Sequence, residues 1–114
     1  MRPLLYVCAP WASRTPAEWE ETKKAITSAL ALGWAPIFTP PMYDYRGDDS
    51  DLALREHGLQ ASESIIGHCG NVLVIGSRRT LGMERELDRW GKERLGTWSK
   101  LHKWPDLGPP VRHG

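Results

Sequence analysis

Asn71-Val72-Leu73-Val74-Ile75-Gly76 is an apolar run that stops at a glycine. Ser77-Arg78-Arg79-Thr80 leads from it into Leu81-Gly82-Met83-Glu84-Arg85-Glu86-Leu87. A run without apolar–polar alternation suits a strand covered on both faces, as in a parallel sheet. After Thr80 the period changes. Met83, Leu87 and Trp90 share one helical stripe, and Thr80 is a natural N-cap, which predicts a helix over about 81–94. A strand followed within a few residues by a helix is the unit from which α/β domains are built.

The same unit recurs toward the N-terminus. Leu4-Leu5-Tyr6-Val7-Cys8-Ala9 is a second unbroken apolar run, ended by Pro10. Thr15, Pro16 and Glu18 form a capping box with proline at the first helical position, and Gly33 is a C-terminal stop, so a helix is expected over about 16–32. Ala35-Pro36-Ile37-Phe38 reads as a short strand. Thr39 to Asp51 reads as a long loop rich in Pro, Gly and Asp, of the kind that often carries function. Leu52 to about Gly67 reads as a helix with Leu52, Leu59 and Ile66 on one face, weakened by Gly58 by about 1 kcal/mol relative to alanine. Gly96-Thr97-Trp98 opens a last short strand, and the residues from Trp104 onward are irregular. The order predicts an α/β fold: one domain over residues 1–103, a parallel sheet of about four strands flanked by helices, right-handed crossovers, and a Pro/Gly-rich tail over 104–114. Ligands of such sheets bind beyond the carboxyl ends of the strands, here Cys8 to Arg14, Thr39 to Asp51 and Gly76 to Glu86.

Composition narrows the function. With 114 residues, 40% hydrophobic and 25% charged, the chain is sized and composed for one folded domain rather than disorder. A net charge of +1 argues against a nucleic-acid polymer as partner. No apolar run is long enough to span a bilayer, and Met1 to Leu5 is too short for a signal peptide, so no membrane partner and a cytoplasmic location are expected. Cys8 and Cys69 then read as reduced core thiols. No metal is expected. His57, His68, His102 and His113 lack ligand spacing, and Asp44, Asp48, Asp49 and Asp51 do not match a calcium loop, although one of them could close over a substrate. Walker and dinucleotide fingerprints are both missing, so no cofactor is expected either. Six tryptophans against one phenylalanine is the odd feature of the composition: some must be core, and others could be stacking surfaces for a flat ligand or a partner chain.

Residue by residue, the start of the third helix could hold an anion, or Thr80 could be no more than a cap beside solvated Arg78 and Arg79. Glu86 borders the apolar stripe; it could face a pocket or pair with Arg89 on the surface. Tyr6, in a central strand, needs a partner for its hydroxyl, either a carboxylate from the third helix or backbone.

Four segments together resemble the nucleoside 2-deoxyribosyltransferase-like superfamily, most closely a short branch of uncharacterised bacterial and phage domains. Tyr6-Val7-Cys8-Ala9-Pro10-Trp11 resembles its Tyr-x-Ala-Gly-Pro-Phe/Tyr opening, and Thr80-Leu81-Gly82-Met83-Glu84-Arg85-Glu86-Leu87 its Ser-x-Gly-Met/Thr-x-x-Glu-Ile/Leu segment. Gly33-Trp34-Ala35-Pro36-Ile37 is similar to its entry into the second strand, and Cys69-Gly70-Asn71-Val72-Leu73-Val74 to its third strand. The resemblance implies a Rossmann-like domain that cleaves N-glycosidic bonds of (deoxy)nucleosides or their 5′-monophosphates. Glu86 would be the nucleophile, Glu84 the substitute in another register, and Tyr6 the group that orients the carboxylate by a hydrogen bond. It further implies substrate contacts at Ala9, Pro10, Trp11, Gly82 and Met83, a loop contact from Asp44, and a phosphate held by Thr80 with Ser77 and Arg79. The pattern departs from the family where the second helix usually carries an acidic group for the leaving base. Near that point stand Ser62 and Glu63, and Gly70 replaces an aspartate before the third strand. Loss of a general acid costs about 10²–10⁴-fold in rate, unless Glu63 or a loop aspartate substitutes. A non-catalytic nucleotide-binding module is the competing expectation, and the short chain suggests a homo-oligomer completed by a neighbouring subunit.

Overall fold

A computed structural model of the chain describes residues 1–43, 52–93 and 100–111. Four strands, β1 (Leu4–Cys8), β2 (Ala35–Ile37), β3 (Asn71–Val74) and β4 (Lys100–Lys103), form one all-parallel sheet in the order β2-β1-β3-β4. The helices are α1 (Pro16–Leu32), α2 (Pro40–Tyr43), α3 (Leu52–Ile66) and α4 (Leu81–Glu93). The chain is therefore an α/β domain, as the strand–helix alternation predicts.

The period of two along each strand divides the core in two. Leu5, Val7 and Ala9, with Leu73 and Ile75, face α1 and pack on Ala25, Ala29 and Trp34. Tyr6 and Cys8, with Val72 and Val74, face the other way, onto Ile66, Cys69 and Met83 beside α3 and α4. Tyr6 thus points at α4 because it is one residue out of step with Leu5 and Val7. Both cysteines are buried on this second face.

Local signals account for α1. The Thr15 hydroxyl accepts from Glu18 N–H and the Glu18 carboxylate accepts from Thr15 N–H, and Gly33 closes the helix at φ 107°, a left-handed conformation that favours glycine. Gly76 (φ 85°) turns the chain out of β3 in the same way, earlier than the apolar run suggests, although Ile75 N–H still donates to Cys8 O at 2.9 Å.

Elsewhere the structure corrects the sequence reading. The segment after β2 is not loop from Thr39 onward. Pro40 and Pro41 preset φ for a single helical turn, closed where Met42 N–H donates to Thr39 O at 2.9 Å. Phe38 leaves β2 to join Trp11 and Trp19 in an aromatic cluster. Leu52 is not on the packed face of α3; it is 73% exposed, and the buried positions are Ser62 and Ile66. β4 carries Lys100 and Lys103, charges suited to a sheet edge, and its apolar signal is correspondingly faint. Gly96, Thr97 and Trp98, expected to open that strand, lie outside the described residues.

Beyond β4 the chain has no further helix or strand up to Val111, yet it is packed. Trp104 and Leu107 lie on the α1 core, and Trp34 Nε1–H donates to Gly108 O at 2.9 Å. Among the described residues no helix is long and apolar enough to cross a membrane.

Candidate active site

In this strand order the connections leave β1 toward β2 on one side and return across it to β3 on the other. The reversal opens a crevice between the carboxyl ends of β1 and β3. The chain following β1 supplies Ala9, Trp11 and Ala12 to a cavity there, and α2 supplies Pro40. From α3 come Leu54, Arg55, Gly58, Leu59 and Ser62, at the three- and four-residue spacing of one helix face; Thr80, Gly82, Met83 and Glu86 line it in the same way at the start of α4. The space between these walls is open to solvent at its mouth and, counted with that mouth, is about 740 Å³.

Glu86 occupies a position on α4 where the stripe of Met83, Leu87 and Trp90 calls for an apolar side chain, and it is only 7% exposed. Its partner is Tyr6, itself fully buried, whose hydroxyl donates to Glu86 Oε2. The phenol is also bonded to Thr39 Oγ1 at 2.9 Å, and Thr39 Oγ1 to Ser62 Oγ at 2.8 Å. Four side chains from four elements or their ends form one buried line: Ser62, Thr39, Tyr6, Glu86. Its two ends, Ser62 and Glu86, both line the cavity.

Burial pushes the Glu86 carboxyl up to about 7; the Tyr6 hydrogen bond opposes the rise and the Glu63 charge adds to it. Burial, and then the neighbouring Glu86 charge, raise the Tyr6 phenol and the Cys8 thiol in turn. At neutral pH Tyr6 and Cys8 stay protonated, and Glu86 is the group that titrates.

The expected site residues separate clearly. Tyr6, Ala9, Trp11, Thr80, Gly82, Met83 and Glu86 come together in or directly behind the cavity. Thr80 also caps α4, accepting from Met83 N–H at 3.2 Å. Pro10 is buried against Gly76 and is not a lining residue. Ser77 and Arg79 are exposed and off the cavity wall, because the turn at Gly76 carries them outward. Glu84 is exposed on the opposite side of α4 from Glu86 and cannot stand in for it. Arg89 does not pair with Glu86; it pairs with Glu93 at 2.9 Å. Arg78 is not simply solvated: it makes two bonds to Glu18, at 2.9 and 3.0 Å, tying the chain beyond β3 to the first turn of α1.

Glu63 is not among the cavity-lining residues; it is paired with Arg85 at 2.6 Å. Asp44, Asp48, Asp49 and Asp51 lie outside the described residues. No described tryptophan is among the exposed large apolar residues; Trp11, Trp19, Trp90 and Trp104 are half-buried, and Trp98 lies outside the described residues. Trp34 is core, Trp90 Nε1–H donates to Cys69 O at 2.8 Å, Trp104 Nε1–H to Glu21, and Trp11 carries the Arg14 guanidinium 3.4 Å from its ring centroid. Among the described residues no group of three His, Cys, Asp or Glu side chains is arranged to hold a metal.

Sequence reasoning missed Arg55, the one cationic lining residue among the described residues, and the linking role of Thr39. The only available signal was the helical spacing from Arg55 through Leu59 to Ser62. Thr39 had none, since it is joined to Tyr6 across 33 residues.

No curated protein matches the chain. Residues 3–98, which run from β1 through α4 and so include every cavity-lining segment, match a domain of unknown function, DUF7768, and the chain belongs to that family.

Proposed function

We propose that this protein cleaves the N-glycosidic bond of a (deoxy)nucleoside or nucleoside 5′-monophosphate, as a hydrolase or a deoxyribosyltransferase, with Glu86 as nucleophile. The observation that carries the reading is the buried Tyr6–Glu86 hydrogen bond at the wall of an open cleft beyond the carboxyl ends of β1 and β3. A carboxylate beside an anomeric carbon stabilises an oxocarbenium-like transition state and captures it as a glycosyl ester, which water or a second base then releases. Tyr6 holds one carboxylate oxygen and leaves the other to attack. Arg55 and Thr80 suit an anionic group such as a 5′-phosphate, in place of the Ser77 and Arg79 that the resemblance suggested. The resemblance to the nucleoside 2-deoxyribosyltransferase-like superfamily supports the same assignment through Tyr6, Gly82 and Glu86.

The experiment is base release, followed by chromatography over a panel of nucleosides and 5′-monophosphates. Wild-type protein is expected to free the base from at least one of them, and E86Q to free none. Folded wild-type protein that leaves the whole panel intact refutes the assignment.

One observation favours a second reading, a binding module that holds a nucleotide without turning it over. Glu86 is the sole carboxylate among the described lining residues. Calorimetry that detects binding, with the ligand recovered whole, selects this alternative.

A further inference from the structure

The line Ser62–Thr39–Tyr6–Glu86 is unusual in one respect: it begins and ends at the same cavity. Its middle members, Thr39 and Tyr6, are fully buried, and Ser62 is 5% exposed. Each hydroxyl both donates and accepts, so the line can run in either of two directions. With Glu86 ionised, Ser62 donates to Thr39, Thr39 to Tyr6 and Tyr6 to the carboxylate. With Glu86 protonated, the carboxyl donates to Tyr6, Tyr6 to Thr39 and Thr39 to Ser62, whose own proton is then turned toward the cavity. The protonation state of Glu86 is thereby expressed at a second point on the cavity wall.

We infer that this hydroxyl line is the general acid of the site, passing the Glu86 proton to the departing base through Ser62. The inference rests on the glycosidase reading above and supplies the leaving-group proton that Glu63, held by Arg85, does not.

The step balances. The Glu86 O–H bond breaks as Tyr6 takes that proton. Tyr6 gives its own to Thr39, Thr39 gives its own to Ser62, and Ser62 gives its own to a nitrogen of the base. The C1′–N bond breaks with its electron pair going to the base. An oxygen of the newly formed Glu86 carboxylate donates a pair to C1′. A neutral acid and a neutral nucleoside become a neutral glycosyl ester and a neutral free base, and the three hydroxyls are left intact with their direction reversed. One carboxyl group thus supplies both the proton and the nucleophile in a single event. Its position near neutrality, set mainly by burial, keeps the protonated form populated at working pH. The charges facing this line come from α3 and α4: Glu63 raises Glu86, and Arg85 lies between Glu63 and Glu56.

The test compares two leaving groups on one sugar: a 2′-deoxynucleoside from the panel that wild-type protein cleaves, and p-nitrophenyl 2-deoxyriboside, whose phenolate departs without a proton. S62A is expected to lower kcat/KM on the nucleoside about 100-fold and on the p-nitrophenyl substrate less than about 3-fold. S62T, which keeps a hydroxyl, restores the nucleoside rate. T39V interrupts the line away from the cavity wall and is expected to show the same selective loss. It guards against Ser62 acting only as a binding contact, and melting curves exclude misfolding. Wild-type pH profiles should have opposite signs: the nucleoside rate falls above about pH 7, where the Glu86 proton is lost, and the p-nitrophenyl rate rises through the same range. Equal losses on both substrates, or profiles of one sign, overturn the relay and leave the Glu86 assignment standing. Wild-type protein that cleaves neither substrate overturns both.

Discussion

The Tyr6 hydroxyl donates to Glu86 across 80 residues of sequence, joining the central strand to the last major helix on the second core face. The bond sets the orientation of the carboxylate and holds its pKa below where burial alone would put it. Y6F removes it while keeping the ring. The Glu86 midpoint is expected to rise further above about 7, and Thr39 to be left with Ser62 as its hydrogen-bond partner in this line. Stability should fall by about 1–3 kcal/mol, the cost of leaving buried polar groups unpaired. Urea unfolding and infrared titration of the carboxyl stretch read the two effects. An unchanged midpoint would mean that the bond is not made in solution.

Glu86 also gives the fold a pH dependence of definite sign. Its folded-state pKa is raised, from about 4.5 to about 7, so the native state binds more proton than the unfolded chain between those values. Its contribution therefore favours the fold most at low pH and is lost as pH rises from 4.5 through 7, by roughly 3 kcal/mol in total. E86Q keeps an acceptor for Tyr6 and cannot ionise. The variant should be more stable than wild type at pH 8 and should lose the decline. Parallel stability–pH curves for the two proteins would remove Glu86 as its source.

How much of this was legible beforehand depended on how local each signal is. Thr15, Glu18 and Gly33 specify α1 within a few residues of its ends, and the alternation along β1 sends Tyr6 to the face that α4 covers. Gly82 and Glu86, four residues apart on α4, come to one cavity wall by helical spacing alone. Thr39, Arg55 and the outward turn of Ser77 and Arg79 are different. They depend on how α2 and α3 lie against β1 and on Arg78 being drawn to Glu18, a contact over 60 residues that no spacing rule encodes. A pair of prolines reads as loop because the residues that turn it into a helical cap, Thr39 and Met42, are unremarkable in isolation.

Charge at the α3–α4 contact tunes the site from behind. The Glu63 charge raises the Glu86 pKa, and Arg85 holds Glu63 at 2.6 Å and Glu56 at 2.7 Å. E63Q removes a negative charge and should lower the Glu86 midpoint. R85Q leaves that charge uncompensated and should raise it. Both substitutions break ion pairs, so a common loss of stability cannot produce shifts of opposite sign. Carboxyl titrations of the two variants decide it, and shifts in the same direction would show that Glu63 does not act on Glu86 through its charge.

Gly82 decides how closely α4 approaches α3. A Cβ built there would stand 3.2 Å from Leu59 Cδ2, tighter than an ordinary contact, and 3.9 Å from Thr80 Oγ1. Leu59 is half-buried and lines the cavity, so its methyl end can move a few tenths of an ångström, and the space it moves into is the cleft. Alanine also gains about 1 kcal/mol of helix propensity over glycine, which offsets the crowding. G82A should therefore melt close to wild type, within about 1 kcal/mol, while binding substrate more weakly because Leu59 intrudes. G82V, with two more methyl carbons and no room for them, should lose about 1–3 kcal/mol as well. Thermal melts, paired with KM for any nucleoside that the proposed activity cleaves, separate the two effects. If G82A is strongly destabilised and KM is unchanged, Leu59 is held rigidly, and the glycine serves helix packing rather than the width of the cleft.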